Sequence, residues 1–80
     1  MHKRIVDAII KALSQREDTD KFFHFFVDDK ETGGFWRLCV IVNPEYKHML
    51  PRIQSIGRDI GSFYGEGLGI EVKWNTIIFS

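Results

Sequence analysis

The sequence predicts a single α+β domain over residues 1–80: a two-layer sandwich in the order α-β-β-α-β, with two helices covering one face of a three-stranded sheet. Three observations carry this. Apolar residues recur at helical spacing through residues 3–13. Two aromatic and β-branched runs flank a turn at residues 28–34. An Asn43-Pro44-Glu45 helix start then opens a second helical pattern, which ends in glycines and gives way to strict alternation.

In the first helix Ile5, Val6, Ile9, Ile10, Ala12 and Leu13 form a broad stripe, with Arg4, Asp7 and Lys11 on the other side. Residues 14–20 are polar and aperiodic and read as a connecting loop. The next two runs, residues 22–27 and 35–42, are rich in Phe, Trp, Val and Ile, and the glycine-bearing segment between them predicts an antiparallel hairpin. Asn43 can cap a free amide, Pro44 is preset for the first helical position, and Glu45 suits the positive helix end. Tyr46, Met49, Leu50, Ile53, Ile56, Ile60, Phe63 and Tyr64 keep helical spacing to Gly65, while Pro51 predicts a kink or split near Lys47. From Leu68 to Phe79, Ile70, Val72 and Trp74 alternate with Glu71, Lys73 and Asn75, which predicts a third strand.

The first strand is apolar on both faces, as a central strand is, so the expected spatial order is 2-1-3 with antiparallel neighbours. Ala8 and Ala12 on the first helix, and Gly57 and Gly61 on the second, predict a close approach of the two helices. A hairpin with residues 30–33 as its loop pairs Val27 with Trp36, Phe25 with Leu38 and Phe23 with Val40, an apolar face that belongs under the helices with Ile70, Val72 and Trp74. The opposite face then shows Phe22, His24, Phe26, Phe35, Arg37, Cys39 and Ile41, joined by Glu71, Lys73, Asn75, Ile77 and Phe79. Two helices cannot cover both faces. Several Phe and Ile residues side by side exceed the apolar patch a soluble monomer normally shows, so a second copy of the chain or another protein is expected there.

Composition narrows the function. Eleven basic and eleven acidic residues leave no net charge, which removes the electrostatic case for an anionic membrane or a nucleic acid. The lone cysteine, Cys39, allows no internal disulfide and suits a reducing compartment, so a cytoplasmic location is expected. No apolar run approaches the ~20 residues of a membrane span, and residues 1–13 lack a signal-peptide core.

The rival partner is RNA. Outward Phe22, Phe26 and Phe35 with Arg37 and Lys73 are the residue types that stack and neutralise single strands, and Lys47, Arg52 and Arg58 add cations. The α-β-β-α-β order resembles the bacterial type of KH domain, a resemblance of topology that implies RNA binding through a GXXG loop between two helices. This chain departs from that motif: Gly57-Arg58-Asp59-Ile60-Gly61 has three intervening residues and lies within a helical pattern.

Other chemistry is sparse. The run Gly65-Glu66-Gly67-Leu68-Gly69 leaves a helix and enters a strand, the reverse of a phosphate cradle. His2, His24 and His48 have no metal-ligand spacing, and Asp28, Asp29 and Glu31 read as solvated turn residues. The expected register sets His24 across from Cys39, the one thiol–imidazole arrangement with catalytic potential, on a flat surface without a pocket. The expectation is a small non-enzymatic interaction module without metal or cofactor, a homodimer or partner-binding regulator, inhibitor or assembly factor.

Overall fold

A computed structural model of the chain describes residues 1–15, 19–30 and 35–80. The first helix, α1 (Lys3–Leu13), forms where the apolar stripe requires it: Ile5, Val6, Ile9 and Leu13 are buried, and Ser14 closes the last turn by donating to the Ile10 and Lys11 carbonyls. Thr19–Phe22 forms a short helical turn, α2, within what the sequence predicts as loop and first strand. Residues 16–18 of that loop lie outside the described residues, as do residues 31–34 of the hairpin turn.

Strands β1 (Phe23–Lys30) and β2 (Phe35–Val42) form the expected antiparallel hairpin, with the register displaced by two residues: Val27 faces Leu38, Phe25 faces Val40 and Phe23 faces Val42. An even displacement exchanges partners and keeps every side chain on its expected face.

After β2 the second helical pattern splits into two elements, as Pro51 predicts. Asn43 Oδ1 accepts from the Glu45 amide at 3.2 Å and starts a 3₁₀ segment, Pro44–Met49. Tyr46 departs from helical geometry (φ −113°, ψ 21°), and Leu50 donates to the Lys47 carbonyl, the acceptor for which Pro51 has no N–H. The α-helix α3 (Leu50–Phe63) then begins with Pro51 in its first turn, where a missing donor costs nothing. It ends in a left-handed Gly65 (φ 74°), with Gly65 donating to Ser62 and Glu66 to Gly61, the pair of bonds that satisfies the last carbonyls of a helix.

The segment expected as a third strand is a second hairpin, β3 (Ile70–Lys73) and β4 (Thr76–Phe79), so the sheet has four strands. Its two-residue turn holds Trp74 at φ 49° and is tied to β2: the Asn75 side-chain amide donates to the Val42 carbonyl, and the Val42 amide donates to the Asn75 carbonyl, both at 2.8 Å. The order is β1-β2-β4-β3 with every neighbouring pair antiparallel, so the expected order 2-1-3 is corrected and β1 lies at an edge. Apolar character on both sides of β1 did not signal a central position; Phe26 and Val27 are 57% and 45% exposed. β2, flanked on both sides, buries Leu38, Val40 and Val42 completely. The topological resemblance to KH domains rested on three strands and ends with the fourth.

Both long helices serve one side of the sheet, α1 over β2 and α3 over β4. Between the layers lie Ile5, Ile9, Leu38, Val40, Ile53, Ile77 and Phe79, all essentially without solvent exposure. Met1 is buried at the margin of this core, its carbonyl accepting from the Trp36 amide at 2.8 Å beyond the point where β4 stops. α1 and α3 do pack against each other, and Gly57 and Gly61 also admit other groups: a Cβ on Gly57 would overlap the Phe79 ring, and one on Gly61 would press on Leu68. Ala8 and Ala12 instead border an open groove with Ile60, Phe63 and Tyr64, where Phe63 is 83% exposed.

Candidate interaction face

The side of the sheet away from the helices is defined row by row. The Phe26–Cys39–Ile78–Glu71 row crosses all four strands, and the adjacent row is His24–Ile41–Thr76–Lys73. Beyond Phe26 stand Asp28 opposite Arg37, then Lys30 opposite Phe35. Phe26, Cys39, Ile41 and Ile78 therefore form a continuous apolar strip over three strands, with Phe35 beyond the Asp28–Arg37 row. None of the five belongs to the core cluster or packs against it, and Phe26 and Phe35 remain 57% and 60% exposed. Among the described residues no element covers this surface. Its rim is polar: His24 and Asp28 are exposed on β1, and Lys73 lies 3.1 Å from Glu71 on β3.

Of the residues expected here, His24, Phe26, Phe35, Arg37, Cys39, Ile41 and Lys73 take the predicted side. Three do not. Ile77 and Phe79 are wholly buried in the core, because the turn at Trp74 and Asn75 reverses the chain and puts Val72 and Ile77, an odd number of residues apart, on the same face. Phe22 is turned by α2 to the helical side, where its ring meets Tyr46 edge-on at 4.6 Å. There it helps line a cavity of about 170 Å³ with Leu13, Phe23, Met49 and Ile53. The same reversal brings in Ile78, which sequence reasoning missed; Asn75, a turn-former, was the available signal. Trp74, expected in the core, is 67% exposed at the turn with the Lys47 ammonium 4.9 Å from its ring centre.

The thiol–imidazole arrangement is also corrected. In the observed register His24 faces Ile41, and Cys39 stands between Phe26 and Ile78. Burial pushes the Cys39 thiol up from its ordinary value, the reverse of what activates a nucleophile. Among the described residues no group of three or more His, Cys, Asp or Glu side chains could hold a metal ion. None of the described helices is long and apolar enough to cross a membrane. Of the cations weighed for RNA, Arg37 and Lys73 share the face with Phe26 and Phe35, and the others do not. Arg52 and Arg58 lie on α3, across the sheet from Phe26 and Phe35; Lys47 is engaged with Trp74, and Lys73 with Glu71.

What the fold and this face define is a small α+β domain with a one-sided helical layer. No protein family, no curated protein and no solved structure matches the chain.

Proposed function

We propose that the chain is a non-enzymatic protein–protein interaction module whose uncovered sheet face is the docking surface, in the service of a regulator, inhibitor or assembly factor. The observation that carries this is the apolar strip Phe26–Cys39–Ile78 with Ile41 and Phe35, which no described element of the protomer covers. Interface cores favour this mixture of aromatics with Arg.

The test is native co-purification from the source cell with the wild-type chain and with a Phe35→Ser, Ile78→Ser variant. The expected result is a partner protein held by the wild type and released by the variant while its circular dichroism is unchanged. Identical recovery with both chains, or recovery only of material absorbing at 260 nm that salt strips away, would contradict the proposal and in the second case favour nucleic acid.

A further inference from the structure

The rim of the sheet carries an argument of its own, separate from the face. Strand β1 is an eight-residue edge, and its hydrogen-bonding direction can be read from its neighbours. The Val42 amide is spent on Asn75 and the Asn43 amide on the Phe22 carbonyl, so the Phe23–Val42 pair exchanges no bonds. By alternation, Phe25, Val27 and Asp29 direct their N–H and C=O groups away from β2, where among the described residues no strand pairs with them, while the Phe23 amide lies at the end of α2. The other edge, β3, is protected in the usual ways: it is four residues long and carries the Glu71–Lys73 pair. β1 has no such protection over Phe25–Val27: Phe23 and Phe25 pack toward the core on the helical side, but among the described residues nothing pairs with the outer edge of the strand. Val27 shows the consequence, being 45% exposed although it points to the helical side. Nothing docked on the outer face could cover Val27; a strand laid along the edge would.

We infer that the strand which fits is β1 of a second copy, paired antiparallel about a two-fold axis through Phe26 to make one eight-stranded sheet. The sequence of β1 is complementary to itself in this register. Phe25 meets the partner's Val27 through the outward backbone groups, Phe26 meets its own copy, and His24 stands opposite the partner's Asp28, twice by symmetry. Asp28 then lies between the partner's His24 and Arg37 of its own protomer. Shifting the axis to Phe25 or Val27 loses both His–Asp pairs. Among the described residues neither His24 nor Asp28 has an ion-pair partner within the protomer. The inference goes beyond the docking reading above, since it uses the edge and leaves the apolar strip free on a surface of doubled length.

The test is the mass of the full chain by analytical ultracentrifugation over a range of concentrations, for the wild type and five variants. The wild type is expected to dimerise. Val27→Pro removes an outward N–H that β2 does not use and should weaken association by at least ~10-fold; Pro is tolerated at such edge positions. His24→Asp sets two like-charge pairs in the interface and should weaken it ~10-fold. Adding Asp28→His to His24→Asp restores the two His–Asp pairs and should recover most of the loss. If Val27→Pro fails to fold, the charge exchange decides alone. In a Cys39→Ser background, Phe26→Cys should cross-link two chains, since directly opposed Cα atoms of a non-bonded pair approach to ~4.5 Å. A wild type that stays monomeric at every concentration overturns the inference. So does a dimer indifferent to the charge exchange and abolished by Phe35→Ser, which would mean packing face to face. Failure of the docking proposal, by contrast, would appear in the Phe35→Ser, Ile78→Ser comparison and leave this dimer intact.

Discussion

Replacing Gly57 by Ala tests the packing of the domain at its tightest point, because two general effects oppose each other there. In the interior of a helix Ala is favoured over Gly by ~1 kcal/mol. Gly57 lies within α3 and its φ is not among the positive values, so backbone strain does not enter. On that ground alone the substitution should stabilise the protein. The space says otherwise: the added methyl would overlap the Phe79 ring, which has no solvent exposure and is enclosed by the core. The ring cannot swing outward, so either the ring or α3 must shift. Overpacking of this kind costs ~1–3 kcal/mol, and direct overlap with a caged ring places it at the upper end. The expected net loss is ~2 kcal/mol, a fall in Tm of ~8–16 °C for a domain of this size. Urea unfolding followed by tryptophan fluorescence would measure it, with an unchanged slope confirming the same transition. Ser55→Ala on the exposed side of α3 is the control and should be neutral or slightly stabilising. In a Phe79→Leu background Gly57→Ala should cost little or become favourable, since the obstruction is gone. A Gly57→Ala protein as stable as wild type would refute the placement of Phe79 under α3, and with it the reversal of the chain at Trp74.

Two further outcomes are expected. Asn75→Ala should lose ~1–2 kcal/mol of stability, because it leaves the half-buried Val42 carbonyl without its 2.8 Å side-chain donor; Asn75→Asp should not rescue it, a carboxylate having no N–H to give, and an unchanged urea midpoint for either would disprove the bond. Cys39 should alkylate more slowly than free cysteine at neutral pH, with a rate still rising beyond the pH at which a free thiol levels off, since burial holds the thiol protonated. The linked effect has a definite sign: the folded chain binds this proton more tightly than the unfolded one, so stability falls as pH rises through the ordinary thiol pKa. Rapid labelling at neutral pH would contradict both statements.

The parts of the fold legible in the sequence were those fixed by local chemistry. The stripe from Ile5 to Leu13, the cap at Asn43, the glycine stop at Gly65 and the two-residue period of β1 and β2 each act within a few residues, and each appears where expected. Strand register was less legible because a four-residue turn can close at either of two neighbouring positions. The shift by two left Phe26, Phe35, Arg37, Cys39 and Ile41 on their face while parting His24 from Cys39. The β3–β4 hairpin was the larger miss. Its turn has no Gly, and Trp74 in the left-handed region is a conformation that bulky residues rarely adopt. Period alone therefore ran through Trp74 and Asn75 without interruption, which sent Ile77 and Phe79 to the wrong side and hid Ile78. Strand order depends on contacts between distant segments, and no local signal could have put β4 between β2 and β3.

The reversed hairpin also sharpens the case for the face it helps to build. With Ile77 and Phe79 moved inward, the core closes on one side of the sheet and needs nothing from the other. Phe26 and Phe35 keep more than half their surface in water, so they recover only part of the ~1.5–3 kcal/mol that full burial of such side chains contributes. Folding thus gives little reason for apolar residues at these positions, where Thr, also favoured in strands, would dissolve better. The same reasoning separates the two surfaces: Phe35 and Ile78 can be covered only from outside the sheet plane, Val27 only from beside it. A partner on the face and a copy at the edge are accordingly not competitors. Pairing of two β1 strands would bring two apolar strips side by side, and a ligand spanning both would bind the dimer more tightly than either protomer.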